Sequence, residues 1–349
     1  MAAQQSAELP GLELCCTLEG HTEPRIWHVA WSPSGGSLAS CGEDRTIRLW
    51  TPHANEAEWR CVALLEDGHQ RTIRWCAWSP CATYLASCSF DGTASVWECL
   101  HGEFDCVASL EGHENEVKSV AWSPSGQLLA TCGRDKSVFI WEAEDEAYEV
   151  AAVLHSHAGD VKSVAWHPTK DVLASASYDD TVKLFKQGGD DWRCATTLTG
   201  HSSTVWALAF SEDGSLLASC GDDRSVHLWR DTTGAADFEQ AQKLEDVASR
   251  SLYAMDWGRG EARDLVAIGS GDNSVSLLRL AAAGDGGGVP TLERAGRQAV
   301  AHCSDVNSVA WRGGAKAAAA AEGAAPRACL ATAGDDGCVR LWRAPTILA

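Results

Sequence analysis

A Gly-His pair returns along this chain, followed about two dozen residues later by Asp and, six residues further on, by Trp. Gly20-His21, Asp44 and Trp50 open the series, and Gly68-His69, Asp91 and Trp97 repeat it, as do Gly112-His113, Asp135 and Trp141. Ser156-His157, Asp179 and Phe185 keep the spacing with two substitutions, and Gly200-His201, Asp223 and Trp229 restore it. The closing residues 50, 97, 141, 185 and 229 stand 47, 44, 44 and 44 positions apart. A four-stranded propeller blade takes about 40–45 residues. Blades that share a ring fold as one unit, so 349 residues read as a single domain. The spacing predicts an all-β chain and moves any function onto the surface of a ring.

Within the third block, Val117–Trp122 alternates as a strand does, and residues 123–126 form a turn cluster. Residues 128–132 make a second strand, and 133–136 a tight turn before the third strand at 137–141. The stretch 105–110, ahead of Gly112-His113, supplies the fourth. Two further blocks are degenerate. Leu252–Trp257, Asp272 and Leu278 keep the strand pattern but lose the His and the closing Trp. Val306–Trp311, led by His302 and followed by Asp336 and Trp342, restores both, which makes seven blades. The last two closing intervals lengthen to 49 and 64, so insertions are expected near 281–298 and 313–326. Residues 284–288 read as a flexible glycine loop, and 313–326, with alanines at 317–321, as another. The seventh block stops after its third strand, while residues 12–18 precede the first Gly-His pair as an unattached strand. Pairing the two closes the ring and removes the exposed edges that invite aggregation. The expected organisation is a flexible stretch over 1–11 and one seven-bladed propeller over 12–349.

The recurrent polar residues have a structural job. In blades of the WD40 type the His, the turn Asp, a Ser or Thr on the second strand and the Trp form a buried hydrogen-bonded set. Here it reads His113, Asp135, Thr131 and Trp141 in one blade, and His201, Asp223, Ser219 and Trp229 in another. The same positions give His21, Asp44 and Trp50; His69, Asp91 and Trp97; His157 and Asp179; and His302, Asp336 and Trp342. A net hydrogen bond is worth ~1 kcal/mol, and one orphaned buried partner costs ~1–3 kcal/mol. A His-Asp pair that recurs blade after blade is scaffold, not a catalytic dyad.

Composition narrows the function classes. A net charge of −20 argues against general duplex-DNA or anionic-membrane binding, which rely on clustered Lys and Arg. Fifteen cysteines suggest a metal or redox protein, but their placement reads as packing: Cys41, Cys88, Cys132 and Cys220 all stand nine residues before a closing Trp. No Cys-x-x-Cys pair or zinc-site spacing occurs, and no iron–sulfur ligand pattern, so neither zinc nor a stable cluster is expected. Residues 1–10 show neither the basic nor the apolar region of a secretory leader, and no 18-residue apolar run occurs. Cytosol or nucleus is the expected compartment. Nucleophile elbow, P-loop, dinucleotide fingerprint and metal-hydrolase helix are all missing from the sequence. Recognition rather than catalysis is expected.

The repeat also names the residues around the channel mouth: those four and six before the end of each first strand, and the one before each turn Asp. They are Arg25, Trp27 and Glu43; Thr72, Arg74 and Phe90; Glu116, Lys118 and Arg134; Asp160, Lys162 and Tyr178. The remaining blades give Thr204, Trp206 and Asp222; Ser251, Tyr253 and Gly271; Asp305, Asn307 and Asp335. Arg25, Arg74, Lys118, Arg134 and Lys162 thus gather with Trp27, Phe90, Tyr178, Trp206 and Tyr253 at one mouth. Arg and exposed aromatics dominate binding hot spots, and a carboxylate beside an aromatic group would suit such a surface. The bland alternative is that these side chains pack on each other or pair with Glu43, Glu116 and Asp160. The acidic run 142–149 reads as a solvated loop.

Longer strings carry a narrower likeness. Residues 110–122 (LEGHENEVKSVAW), 66–74 (EDGHQRTIR), 177–184 (SYDDTVKL) and 201–206 (HSSTVW) resemble the WD40 subunit of the cytosolic iron–sulfur assembly targeting complex, the CIAO type. The likeness is dense over about 18–230 and fades to propeller pattern over 231–349. It implies a non-enzymatic adaptor that works with a HEAT-repeat scaffold and a SufT-like subunit to deliver clusters to cytosolic and nuclear apoproteins. Several clients of that family end in an aromatic residue preceded by an acidic one. The family's functionally sensitive top-face arginine falls on Arg134, in Arg134-Asp135-Lys136-Ser137. A Leu-Tyr-Arg-like tripeptide that the family can carry becomes Leu184-Phe185-Lys186, which puts any co-chaperone contact there in doubt. A second reading is a substrate receptor of a ubiquitin ligase. It lacks the expected F-box or Trp-Asp-x-Arg motif, since Trp50, Trp97, Trp141, Trp229 and Trp342 are followed by Thr, Glu, Glu, Arg and Arg. A metal-binding or redox enzyme rests on the cysteine count alone.

Overall fold

The computed structural model describes residues 11–53, 58–144, 147–189, 191–281, 290–313 and 329–344. Its strands form seven four-stranded antiparallel sheets. The first complete blade is β2 (Ile26–Trp31), β3 (Leu38–Gly42), β4 (Ile47–Pro52) and β5 (Trp59–Leu65), hydrogen-bonded in that order. Strands β6–β9 (73–111), β10–β13 (117–154), β14–β17 (161–199), β18–β21 (205–244) and β22–β25 (252–298) repeat it. The last blade is β26 (Val306–Trp311), β27 (Cys329–Gly334) and β28 (Cys338–Arg343), and β1 (Glu13–Glu19) pairs with β28 as its outer strand. Closure by the N-terminal strand is therefore as the strand count predicts. Each blade's first strand touches the first strands of both neighbours, β26 against β2 included, so these strands wall a central channel.

Local chemistry sets each blade's tight turn between strands two and three. The residue after the turn Asp has positive φ in every blade: Arg45, Gly92, Lys136, Asp180, Arg224, Asn273 and Gly337. Only two are glycine. The others tolerate the left-handed conformation because the preceding Asp accepts from the amide two residues on, as Asp44 Oδ1 does from Thr46 N (3.1 Å) and Asp135 Oδ1 from Ser137 N (3.1 Å). The other carboxylate oxygen bonds His Nδ1 at 2.8–3.3 Å in five blades, and in blade seven His302 Nδ1 shares Asp336 Oδ1 with the turn amide. Trp Nε1 donates to the second-strand hydroxyl at 2.8–2.9 Å, and that hydroxyl meets His Nε2 at 2.7–2.8 Å in the five blades that have the Trp. Blade four keeps His157, Asp179 and Ser175, with Phe185 fully buried in place of the indole.

Blade six shows how the set is replaced. Ser249 donates to Asp272 Oδ2 from both its amide and its hydroxyl at 2.8 Å, and Arg297 on β25 (Thr291–Gln298) adds an ion pair at 2.6 Å. That strand also narrows the expected insertion near 281–298: residues 291–298 pair with β24 (Val275–Ala281) as an outer strand. The glycine stretch 284–288 and the alanine-rich stretch within 313–326 lie outside the described residues, except Gly313. The acidic run 142–149 is not a loop where it is described. It belongs to β12 (Val138–Glu144) and β13 (Ala147–Leu154), paired from Val138↔Leu154 to Glu144↔Ala147, because strand alternation continues through the charges.

The seams between blades are of two kinds. In four of them the Trp ending strand one donates from Nε1 to the alanine carbonyl of the blade before: Trp31 to Ala310, Trp78 to Ala30, Trp122 to Ala77 and Trp166 to Ala121, at 3.0–3.2 Å. Phe210 cannot do this. There, Lys170 and Lys186 of blade four reach the Gly234 and Ala235 carbonyls of blade five, both at 2.7 Å. Between blades five and six, Gln242 exchanges two hydrogen bonds with the Leu292 backbone at 3.0 and 2.6 Å. Between six and seven, Asp256 accepts from the Trp311 amide at 2.7 Å, and burial pushes its carboxyl up to about 6.

Several histidines tie stability to pH. Burial, reinforced by the Arg74 charge, pushes His28 down to about 3, and burial likewise lowers His157 and His302. The folded chain refuses a proton that the unfolded chain takes up below about pH 6.5, so stability present at neutral pH is lost as pH falls through that value. From pH 7.5 to 5 the loss from His28 alone is about 2 kcal/mol. Urea unfolding at the two pH values measures it, and equal midpoints would contradict neutral burial. A second loss follows between about pH 4 and 2. Burial would raise Asp44, Asp135 and Asp179, but hydrogen bonds from the His, hydroxyl and backbone donors outweigh it and hold all three at about 2.

Candidate functional site: the channel mouth

Every first strand carries a β-bulge one residue in, where pairing to the second strand slips. The residues left out of register are Trp27, Arg74, Lys118, Lys162, Trp206, Tyr253 and Asn307. A bulge re-aims a side chain that pairing would otherwise fix. Seven bulges in one ring therefore place seven side chains of five kinds around one opening. Tyr253 and Asn307 also line the channel cavity below, about 570 Å³ in volume. The repeat arithmetic had named all seven.

Blades two to four supply three consecutive cations, each against an aromatic ring. The Arg74 guanidinium lies 4.6 Å from the Trp27 centroid, Lys118 Nζ 4.1 Å from Phe90, and Lys162 Nζ 4.9 Å from Trp206 and 5.4 Å from Tyr178. Trp27 meets Phe90 edge-on at 6.1 Å, and Trp206 meets Tyr253 at 5.4 Å. Tyr178 stays 62% exposed. The aromatics are thus partly spent on each other and on the cations, which stiffens the rim before anything binds.

Carboxylates pair with most of the cations. Glu116 is a hub, with Lys118 at 2.6 Å, Arg71 at 3.6 Å and Arg134 at 3.7 Å. Burial would raise its carboxyl, but the Lys118 hydrogen bond and the charges of Lys118, Arg134 and Arg71 hold it below the ordinary range. Lys162 pairs with Asp160 at 3.2 Å, and Arg25 with Asp335 at 2.8 Å. Arg134 remains open, its side chain 57% exposed. Burial, with the charges of Arg74 and Lys162, pulls the Lys118 ammonium down against the opposing effect of Glu116. Across the ring, Trp206 Nε1 donates to Asp222 at 2.7 Å and Asn307 to Asp335 at 2.6 Å. The bulge positions are therefore two-sided, with cations over blades two to four and Trp206, Tyr253 and Asn307 over blades five to seven.

Arg74 differs from the sequence expectation of an exposed contact residue: it is 7% exposed. Trp27 of the preceding blade covers it, which the spacing of its own block does not reveal. Two arginines of the rim were missed. Arg71 bonds the Phe90 carbonyl at 2.5 Å, and Arg250 bonds the Gly271 carbonyl at 2.6 Å. Both stand three residues before a bulge, so extending the repeat arithmetic by that one position would have found them.

Other features resolve into scaffold. Among the described residues, one His/Cys/Asp/Glu group has metal-ligand proximity, His201, Asp223 and His227. His201 bonds Asp223 and Ser219, and His227 Nε2 bonds Ser225 at 3.1 Å, while His227 Nδ1 is buried without a hydrogen-bond partner. Cys41, Cys88, Cys132 and Cys220 are fully buried, and burial pushes all four thiols up. In Leu184-Phe185-Lys186 the first two side chains are fully buried, and Lys186 holds the Ala235 carbonyl and Asp237. Packing accounts for that tripeptide.

Comparison with known proteins adds the rest. The WD domain, G-beta repeat matches residues 12–51, 59–98, 104–142, 148–186, 192–230 and 297–343. The chain is 59% identical over 100 residues to the probable cytosolic iron–sulfur protein assembly protein Ciao1 of Aedes aegypti, a match covering 29% of each chain. Over 100 residues it is 54% identical to that of Homo sapiens, again 29% of each, and over 63 residues 48% identical to that of Danio rerio, 18% of each. The matched segments thus span less than a third of these relatives' length. No helix among the described residues is long and apolar enough to cross a membrane.

Proposed function

We propose, from the premise that this chain belongs to the WD40-repeat family, that it is a non-catalytic adaptor of the cytosolic iron–sulfur assembly machinery. Its relatives are named for that process, and a propeller whose polar sets are spent on scaffold leaves recognition to the rim. In this reading the chain works beside a HEAT-repeat scaffold and a SufT-like subunit and helps direct clusters to cytosolic and nuclear apoproteins. The cluster is cargo: four of the five buried thiols, Cys41, Cys88, Cys132 and Cys220, repeat one second-strand position, which suits packing and not ligation.

One observation carries the recognition reading. On a protein of charge −20, three successive blades present Arg74, Lys118 and Lys162 at bulge positions, each against an aromatic ring. A C-terminal tail ending in an acidic and then an aromatic residue complements that surface in charge and in stacking. The test is capture of an immobilised peptide ending in Asp-Trp with a free carboxylate. Arg134→Glu is expected to weaken capture about tenfold or more, ~1.4 kcal/mol, while melting as the parent does, and Lys118→Glu to weaken it at least as much but to melt lower, because it sets a second carboxylate beside Glu116. Equal capture by all three proteins would remove the mouth as the client site.

A further inference from the structure

One cation of the mouth is handled unlike the rest. Arg25, Lys118, Lys162 and Arg134 each have a carboxylate within 4 Å. Arg74 makes no hydrogen bond or ion pair among the described residues, and its Nη1 is enclosed without a partner. Its surroundings explain why this matters. The Trp27 and Trp75 rings lie 4.6 and 5.9 Å from the guanidinium carbon, so aromatic faces hold it in place without satisfying any N–H. The nearby thiols of Cys41, Cys88 and Cys132 are kept neutral by burial. Lys118, which feels the charges of both Arg74 and Lys162, brings further positive charge. The charge of Asp335 favours the guanidinium, but that carboxylate is engaged by Arg25 at 2.8 Å and Asn307 at 2.6 Å.

A guanidinium cannot shed its proton to escape such a site. A purely structural arginine at this depth would carry a carboxylate or carbonyl partner, since buried polar groups are almost always hydrogen-bonded. Six blades solve their bulge position without leaving a buried charge unpaired. Only blade two does not.

We propose that Arg74 is a recessed carboxylate subsite at the neck of the channel. It rests on the reading of the mouth as a ligand-binding face and deepens it. A carboxylate of the bound tail passes below the rim and pairs with the guanidinium, with Lys118 and Lys162 beside it and an adjoining side chain against Trp27. Turning the guanidinium toward the opening sacrifices no hydrogen bond, because it makes none. Arginine suits this role better than lysine because its planar fork matches both carboxylate oxygens. The carboxylate is either the chain terminus of the tail or the side chain of its penultimate acidic residue.

Calorimetric titration of the full chain with three peptides separates these sources: Gly-Ser-Asp-Trp with a free terminus, the same peptide as its amide, and Gly-Ser-Asn-Trp with a free terminus. Removing the carboxylate that occupies the subsite is expected to weaken binding to the parent about tenfold and to change nothing in Arg74→Met. Which peptide shows the loss identifies the source. Arg74→Lys keeps the stem and charge but not the fork, and an intermediate loss is expected. If Arg74→Met is unstable in urea, Arg74→Lys decides alone. Binding of all three peptides to the folded Arg74 variant as to the parent, while Arg134→Glu weakens them, overturns the subsite and leaves the mouth reading standing. If no peptide binds the parent, both fall.

Discussion

A chain lacking residues 1–18 is expected to melt about 10 °C lower than the full protein. Those residues contain most of β1, which pairs with β28 from Glu13↔Arg343 to Glu19↔Cys338 and completes the seventh blade. Leu12 and Leu18 are both more than nine-tenths buried, in the packing between blades seven and six and between seven and one respectively. Loss of two such leucines removes about 4 kcal/mol of burial. The exposed β28 ladder adds roughly 1 kcal/mol more. At about 2–4 °C per kcal/mol for a domain of this order of size, the shift is about 10 °C or more. The deleted chain also presents a bare strand edge, so concentration-dependent association should accompany the loss. Scanning calorimetry at two protein concentrations measures both. Unchanged melting would refute closure by this strand as a stabilising device.

Asp135→Ala should destabilise the folded chain by about 4 kcal/mol, more than any single change at the rim. One carboxylate there accepts four hydrogen bonds: from His113 Nδ1 at 2.8 Å, Glu114 N at 3.1 Å, Ser137 N at 3.1 Å and Ser137 Oγ at 2.6 Å. Truncation leaves the nearly buried His113 donor and the turn amide without partners, and each orphan costs ~1–3 kcal/mol. Lys136, held at positive φ by that turn, loses its support as well. Arg134 sits immediately before the turn, its amide bonded to the Glu116 carbonyl at 2.9 Å, so tail capture should weaken along with stability. Urea unfolding gives the free energy. A loss below about 1 kcal/mol would mean that the repeated carboxylate is not what fixes the blade.

The ring, its closure and its polar sets were legible because each depends on residues inside one block, read at a fixed spacing. The seven residues around the mouth were legible for the same reason, though not the bulges that carry them. What escaped depends on contacts between blocks. Arg74 looks like any rim cation in its own repeat, and only Trp27 from the blade before and the cysteines of neighbouring second strands make it buried and unpaired. Arg297 rescues Asp272 from an outer strand 25 residues away, a partner with no counterpart in the repeat. The acidic stretch near Glu142 and Glu149 looked like solvent-loving loop because charge was weighed above alternation, yet the two residues are cross-strand neighbours in a hairpin. Lys186 was read for its place in a tripeptide, while the loop of blade five decides what it holds.

The two kinds of seam have a consequence for how this chain can change over generations. A joint made by a Trp donor and an alanine carbonyl is the same on both sides, so a blade bounded by two such joints could be duplicated or exchanged without redesigning its neighbours. Blades one, two and three are interchangeable parts in that sense. Blades five and six are not: their joints need Lys170 and Lys186, Gln242, or Asp256 on one partner and a matching group on the other. Variation at Trp27, Arg74 and Lys118, which lie on blades one to three, can therefore be sampled by shuffling whole units. Across the seams between blades four and seven, change has to come in matched pairs of residues.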